Sequence, residues 1–421
     1  MKYIFSTIFL FTFSANIWAQ ETRKLGVTLE IRPRSEFRNG AFTLRMAEDD
    51  PAFFISQRSR LSLDYSLEEL TLGFSVQNVR VWGESSQIAP DEGNNTMINE
   101  AWAAYQLTED LAVKFGRQAL IYDDDRILGS LDWHQAGRWH DALLLKYDND
   151  IWQVDVGAGY NQDAENILGN EYLAPGNNYK SMQMLWAGRP IGEIHEFSLL
   201  VLNTGFEDPI DSKQNFMQTF GLNFYQVDEP LNLTGTFYYQ SGENAAGLEA
   251  KSFLAAVYGS LSLSENFALL AGTDFLTGNN MNSTENGVTN AFNPLYGTHH
   301  KFYGYMDYFY VGVPHSNVGL WDKYGGFKTS FSENFSIQLM AHAFNSAGDI
   351  YDMAANENLS SYLGTELDLT FNWSLSEAFK INGGYSQMLA TESMEIIKGR
   401  GDQEKLQNWA WLMLTAKPRL Y

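Results

Sequence analysis

The sequence predicts an all-β fold, a single transmembrane antiparallel β-barrel of eighteen strands, with sixteen as the alternative count. Apolar and polar residues alternate along many segments of about ten residues, the period of a strand with two different faces. Short turns and long loops alternate between these segments. After residue 19, no apolar run reaches the roughly 18 residues that a transmembrane helix needs.

The alternation is clear in the first segment, where Leu25, Val27 and Leu29 are interleaved with polar Thr28 and Glu30. The predicted strands cover residues 25–38, 53–66, 70–82, 99–107, 111–119, 138–147, 151–160, 179–187, 194–203, 216–226, 231–240, 251–262, 266–276, 319–331, 335–345, 361–373, 379–388 and 407–420. Segments of this length can cross the hydrocarbon core of a bilayer when they are tilted.

The connections favour a membrane barrel over a water-soluble β-sandwich. Short turns such as 108–110 and 332–334 alternate with long loops. The predicted long loops include residues 39–52, 83–98, 120–137, 161–178, 277–318 and 389–406. Short periplasmic turns and long extracellular loops are typical of outer-membrane barrels, in which the sheet closes so that no edge is left unpaired in lipid. Both chain termini then lie on the periplasmic side.

Two features of the predicted barrel follow less directly from the alternation of apolar and polar residues. The segment Lys301–Tyr310 is aromatic enough to be a strand, but a nineteenth strand would break the alternation of connections. We therefore place it inside the longest loop, where it can fold in as a lid or plug. The tryptophans near strand ends are expected to form interface girdles. These are Trp82, Trp133, Trp139, Trp152, Trp373, Trp409 and Trp411.

The two ends of the chain predict export to the outer membrane of a Gram-negative bacterium. Lys2, the apolar stretch 4–13 and small Ala19 are typical of a signal peptide over residues 1–19, although an N-terminal apolar strand is the alternative. Residues 20–421 then form the barrel. The terminal Leu420-Tyr421 resembles the aromatic signal that the outer-membrane insertion machinery recognises.

Composition excludes several classes of function. The chain of 421 residues has a formal charge of −23 and no cysteine, which argues against nucleic acid as a partner and excludes thiolate metal sites and cysteine nucleophiles. Neither H-E-x-x-H nor G-x-S-x-G occurs, and His299-His300 is a weak metal signal because adjacent side chains diverge. We predict no cofactor, no metal and no catalytic residue. An outer-membrane hydrolase and a structural barrel remain alternatives.

Basic residues are concentrated in the first third of the chain. Residues 20–140 hold eleven of the fourteen arginines, and their balance is 13 basic to 19 acidic residues, against 14 to 32 over 141–421. If the aliphatic residues face lipid, the alternate residues face the lumen. The predicted lumen residues are Arg32, Arg34, Arg58, Arg60, Arg80, Arg117, Arg126 and Arg138, with the acids Glu30, Glu100, Asp141, Glu366 and Asp368.

Two interpretations of this cluster stay open. In the first, the arginines pair with Glu30, Glu36 and Asp64 and hold the wall of a wide barrel together. In the second, surplus guanidinium groups present paired donors to passing carboxylates, as rings of Arg or Lys do in anion-selective pores. The acidic runs 48–50 and 123–125 are expected to be solvated faces of the mouth loops or bridges through divalent cations to lipid phosphates.

The region from Gly116-Arg117-Gln118 through Tyr122–Ser130 and Asp132-Trp133 to Asp141-Ala142 resembles the hallmark region of the alginate export family. Arg32-Pro33-Arg34 and Gln57–Arg60 resemble what that family places on its inner wall, and the resemblance extends over the mature chain. It implies a monomeric eighteen-stranded barrel that passes an anionic polyuronate through an Arg-lined lumen. A general or uptake porin for small anions or oligosaccharides is the alternative.

Overall fold

The alternating pattern corresponds to eighteen antiparallel strands in the computed structural model, which describes residues 24–88, 95–172, 178–208, 212–283 and 287–421. The strands are β1 (Lys24–Asn39), β2 (Ala52–Leu67), β3 (Leu70–Val81), β4 (Thr96–Gln106), β5 (Leu111–Gln118), β6 (His140–Asp148), β7 (Gln153–Tyr160), β8 (Ser181–Ile191), β9 (His195–Glu207), β10 (Gln214–Asp228), β11 (Leu231–Gly242), β12 (Ser252–Ser264), β13 (Phe267–Leu276), β14 (Leu320–Ser332), β15 (Phe335–Asn345), β16 (Tyr362–Ser376), β17 (Phe379–Ala390) and β18 (Gln407–Ala416). The predicted signal peptide lies outside the described residues.

The sheet closes on itself. Each strand pairs with the next, and β18 pairs with β1, with Trp411 opposite Glu36 and Ala416 opposite Ile31. The prediction of a closed barrel of eighteen strands, rather than sixteen, is therefore confirmed. The last predicted strand is too long, because regular pairing ends at Ala416, shortly before Pro418, which has no N–H to donate.

The two ends of the barrel differ in the length of the connections between strands. Turns such as 68–69 and 377–378 join strands at the turn end, whereas long connections such as 119–139 and 277–319 join them at the loop end. The predicted placement of Lys301–Tyr310 is confirmed, because this segment contains no strand and belongs to the connection between β13 and β14.

The outer wall is apolar. Leu143 and Val156 expose 52% and 50% of their surface on strands whose alternate residues are buried inside. Trp82, Trp152 and Trp373 are exposed near strand ends, as expected of an interface girdle. Trp133, Trp409 and Trp411 were wrongly assigned to the girdle. Trp409 and Trp411 pair in register with inward Arg38 and Glu36, and Trp133 packs against both of them inside the barrel.

Two long loops fold into the loop half of the barrel, and we call residues 119–139 and 290–319 the inner plug. Tyr303, Met306, Tyr308 and Phe309 are almost fully buried there. The two loops are joined by backbone hydrogen bonds, in which Tyr296 N–H donates to the Ile127 carbonyl at 3.0 Å and Gly129 N–H donates to the Tyr296 carbonyl at 3.0 Å. Inward side chains near the turn end are less buried, so the plug occupies one half of the interior.

A short helix, α1 (Glu392–Lys398), lies in the loop between β17 and β18. Its N-cap is Thr391, whose side chain accepts from Met394 N–H, and it ends at Gly399 in the left-handed conformation. The buried Lys398 ammonium donates to the Pro314 carbonyl at 3.1 Å and so fixes α1 against the plug. No helix among the described residues is long and apolar enough to cross a membrane.

Candidate functional site: the arginine wall and the inner plug

An arginine wall lines the inside of β1 and β2; we define it as Arg32, Arg34, Arg58 and Arg60. Strand alternation directs these side chains inward, because their neighbours Ile31 and Leu61 point outward. The register places Arg58 directly opposite Arg32 across the two strands. Several guanidinium groups therefore share a small part of the wall.

Two acids of β1, Glu30 and Glu36, neutralise part of this charge. The Nε atom of Arg58 donates to Glu30 Oε1 at 2.8 Å, and Arg34 Nε donates to Glu36 Oε1 at 2.9 Å. Both carboxylates are buried, so these pairs are protected from solvent screening. For Glu30 and Glu36 this agrees with the interpretation that the arginines pair with acids and hold the barrel wall together.

The larger part of the arginine wall holds the plug. Arg58 Nη1 donates to Asp132 Oδ1 at 2.8 Å, Arg32 Nη1 lies 3.2 Å from Asp132 Oδ2, and Arg60 Nη1 lies 3.9 Å from Asp132 Oδ1. Although partial desolvation inside the barrel raises the pKa of Asp132, the charges of Arg58 and Arg32 outweigh this effect and lower the pKa to about 2. Asp132 is therefore ionised at any physiological pH.

Backbone contacts fix the same segment of the plug. Arg32 Nη2 donates to the Asp132 carbonyl at 2.8 Å, and Arg34 Nη1 donates to the Trp133 carbonyl at 2.7 Å. The Arg34 guanidinium also lies 4.1 Å from the centre of the Trp133 ring, a cation–π distance. Trp133 in turn stacks on His300 of the second plug loop at 4.1 Å.

A second ionic centre lies around Arg126. Its guanidinium makes a bidentate pair with Asp274, at 2.8 and 3.0 Å, and donates to Asp124 Oδ2 at 2.7 Å. The Tyr303 hydroxyl, at 3.2 Å, and the Phe302 ring, at 3.9 Å, complete its surroundings. Arg126 thus links both plug loops to β13.

A third centre joins the plug to β16. Met306 N–H donates to Glu366 Oε1 at 2.8 Å, and Asp368, two residues along the same face of β16, accepts from Ser386. His342 lies between Asp322, at 2.8 Å, and Asp368, at 3.7 Å. Glu366 and Asp368 are thus on the inner face, as predicted, but they are sealed under the plug and do not line open space.

Three predicted lumen residues were assigned to the wrong face. Arg117 and Asp141 form a bidentate pair, at 3.0 and 2.9 Å, on the outer surface beside Phe115 and Leu143. Arg80 is opposite Gln57, on the face away from Arg58 and Arg60. All three lie within two residues of the loop end of a strand, where the outer wall leaves the hydrocarbon and tolerates polar groups.

The remaining predicted residues are inside the barrel. Glu100 Oε1 accepts from Ala119 N–H at 3.0 Å, at the start of the first plug loop. Arg138 Nη1 donates to the Gly297 carbonyl at 2.6 Å, and burial lowers the pKa of Arg138 to about 10. Asp123 and Asp124, expected to be solvated at the mouth, are instead buried within the plug.

Sequence reasoning missed Asp132, Gln135 and Asp274 as partners of the arginines. Asp132 was visible only as part of the motif that carries the family resemblance. Asp274 lies on a strand far from the basic region, and no local pattern connects it to Arg126.

Among the described residues, no group of His, Asp and Glu side chains has the arrangement of a metal site.

The closed sheet, the apolar outer wall and the charged interior define the class of this protein: a closed β-barrel of the outer-membrane type. The family model for alginate export matches residues 23–158, which hold the arginine wall and the first plug loop but less than half of the chain. This is a shorter stretch than the resemblance in the sequence suggested. The search of curated proteins finds no match.

Several solved structures share this fold. OccAB1 from Acinetobacter baumannii aligns with a TM-score of 0.64 at 12% identity, covering 94% of this chain and 97% of that one. The outer membrane protein opdK from Pseudomonas aeruginosa gives 0.62 at 9% identity, covering 94% and 99%. A BenF-like porin from Pseudomonas fluorescens Pf-5 gives 0.61 at 11% identity, with the same coverage of 94% and 99%. At these identities the likeness concerns the fold.

Proposed function

We propose that this protein is an outer-membrane channel for anionic saccharides, with passive export of an alginate-like polyuronate as the leading version. Passage of small anions or oligosaccharides, including uptake, is the second candidate, favoured by the similarity of the fold to porins. The observation that carries the proposal is the arginine wall at mid-barrel. The match to the alginate export family over the same residues supports it.

The arginines in direct contact with Glu30, Glu36 and Asp132 outnumber these three acids. Arg32, Arg58 and Arg60 face the carboxylates of Glu30 and Asp132, and Arg34 and Arg38 share Glu36. A positive region inside a low-dielectric wall raises the local concentration of anions although the whole protein is acidic. Guanidinium groups suit carboxylates because they stay ionised and offer two parallel donors.

Selectivity is tested by reversal potentials in planar bilayers under a KCl gradient. Wild type is expected to prefer chloride, and Arg32→Ala with Arg60→Ala is expected to lose most of this preference. Arg117→Ala is the matched control, because it removes an arginine from the outer surface and should leave the reversal potential unchanged. A cation preference in wild type, or an unaltered potential in the double variant, would contradict the proposal.

The solute is distinguished by liposome swelling. Galacturonate, oligogalacturonates of increasing length and neutral glucose are compared at equal osmolarity. Entry of the long oligomers supports polyuronate passage, whereas entry of the monomer alone supports a porin for small anions. Faster entry of glucose than of galacturonate would contradict both versions.

The proposal also includes the export of the chain and its insertion into the outer membrane. The expected steps are removal of residues 1–19, insertion with the help of the terminal Tyr421 and contact of the apolar outer wall with outer-membrane lipids as a monomer. Val27 N–H donates to the Tyr421 carbonyl at 3.0 Å, so the last residue is attached to β1 beside the seam of the barrel. An enzymatic role has no support in the geometry of the described residues, and we propose none.

A further inference from the structure

One carboxylate is surrounded by three guanidinium groups at mid-barrel. The carboxylate of Asp132 comes from the first plug loop, whereas Arg32, Arg58 and Arg60 belong to β1 and β2. Its two oxygens use different partners, Arg58 for Oδ1 and Arg32 for Oδ2, at 2.8 and 3.2 Å. This is the arrangement in which a protein holds a carboxylate ligand from solution.

The guanidinium groups are buried, but the carboxylate is not. The side chains of Arg32 and Arg58 are 5% and 1% exposed, whereas that of Asp132 is 58% exposed. A group that replaces the Asp132 carboxylate must therefore approach from the open space of the barrel interior. The arginines are also held by other partners, Arg58 by Glu30 of β1 and Arg32 by Gln135 of the first plug loop.

Release of the Asp132 side chain does not require release of the loop. The backbone of this segment is held by Arg32 at the Asp132 carbonyl, by Arg34 at the Trp133 carbonyl and by Gln77 at the Ala136 carbonyl, at 2.8, 2.7 and 2.6 Å. A rotation of the Asp132 side chain would leave these hydrogen bonds intact. The exchange thus needs only a local rotamer change of Asp132 after its ion pairs with Arg32 and Arg58 have broken.

Without the Asp132 carboxylate the site would be strongly positive. Glu30 would remain as the acid in contact with Arg58 and Arg32, and its second oxygen already lies 3.6 Å from the Lys417 ammonium. Three guanidinium groups would then share one buried carboxylate. A second carboxylate at this place would restore the balance found in the structure.

We propose that this is a carboxylate-binding site that the chain itself occupies, and that the carboxylate of a passing uronate or small organic acid exchanges with the Asp132 side chain. This inference rests on the proposed function, because it assumes an anionic solute in the lumen. Asp132 competes with the solute for the arginines and so prevents the site from retaining it. The built-in competitor permits selectivity together with rapid release.

The test is the binding of galacturonate to the detergent-solubilised protein, measured by isothermal titration calorimetry in low-salt buffer. Asp132→Ala is expected to lower the dissociation constant at least tenfold, and Asp132→Asn is expected to lower it less, because the amide keeps an acceptor oxygen. Asp49→Ala is the matched control. It removes one charge from a loop aspartate that pairs with a single arginine, Arg400, and should leave the affinity unchanged.

Two further measurements keep the result decisive. Heat-modifiable migration in gels verifies that each variant is a folded barrel, and Asp132→Asn serves if the alanine variant does not fold. Glucose serves as the neutral ligand. An affinity of the Asp132 variants within twofold of wild type, or an equal gain for glucose, would overturn the proposal.

The reversal potential of wild type separates this inference from the channel function. Anion preference combined with unchanged galacturonate affinity in Asp132→Ala would refute the exchange site alone. Cation preference combined with tighter galacturonate binding in the variant would refute the channel function and leave the binding site established.

Discussion

Replacement of Arg126 by methionine should release the inner plug from the barrel wall. Arg126 is almost fully buried, and its guanidinium is shared by Asp274 on β13 and Asp124 in the first plug loop, with the Tyr303 hydroxyl of the second loop at 3.2 Å. Methionine fills a similar volume but has no charge. Two carboxylates would then lie close together in the interior without a cation.

The magnitude follows from the burial of this centre. Removal of one partner from a buried, hydrogen-bonded ion pair costs about 3–5 kcal/mol, because the remaining charge is left uncompensated. Since 1.4 kcal/mol corresponds to about tenfold, the ratio of released to docked plug should rise by roughly a hundred- to a few-thousand-fold. The matched control is Arg117→Met. It breaks an equally well aligned pair with Asp141 that is 34% and 51% exposed, and such surface pairs contribute only about 0–1 kcal/mol.

The release of the plug can be measured by single-channel recording in planar bilayers and by hydrogen exchange. We expect larger and noisier conductance in Arg126→Met, together with faster amide exchange over residues 119–139 and 296–304, and neither change in Arg117→Met. Addition of Asp274→Asn should recover part of the exchange protection, because one of the two uncompensated charges is removed. If Arg126→Met shows wild-type conductance and exchange, Arg126 does not hold the plug in place.

Two further predictions concern the same plug. Gly304→Ala should accelerate amide exchange over residues 301–310, because Gly304 has φ +81° and an added Cβ would lie 2.7 Å from Glu366 Oε1. Gly312→Ala is the control. Gly312 has φ +82° and open space around it, so this variant has the same backbone strain without the clash and should have little effect on exchange. Burial raises the pKa of Asp123 to about 6 despite hydrogen bonds from Ser198 and Trp186, against about 3.9 in an unfolded chain. The protonated carboxyl therefore stabilises the packed loop below about pH 4, and this contribution is lost as the pH rises through 6. Exchange over residues 119–129, corrected for its intrinsic pH dependence, should accelerate between pH 4 and 7 in wild type but not in Asp123→Asn, and an equal acceleration in the variant would contradict this assignment.

The barrel itself could be predicted because a membrane strand leaves a strong periodic signal. Leu143 and Val156 must face lipid, and the residues that alternate with them along each strand must face inward, so face and strand count follow from the alternation. The same reasoning failed for Arg80, Arg117 and Asp141. Near the loop end the outer surface no longer contacts hydrocarbon, so polarity there does not distinguish the two faces.

The inner plug could be predicted only in part. The aromatic composition of Lys301–Tyr310 indicated a lid or plug, and the structure places this segment inside the barrel. The acidic run 123–125 gave no comparable signal, because the same residues suit a solvated loop and a buried ionic centre. The difference depends on Arg126 and Asp274, which meet only after the barrel has closed.

Solvent exposure decides which role each arginine can have. A barrel of eighteen strands is too wide for the side chains of its own wall to fill, so folded-in loops occupy part of the interior and need polar anchors there. Around Arg126 both acids are buried, and exchange with a solute would first require the plug to move. At Asp132 the acid is exposed while the arginines are fixed, so the same type of ion pair is accessible from the lumen. The interpretation of the arginines as structural and the interpretation as anion-binding are therefore both compatible with this wall, and they apply to different sites along it.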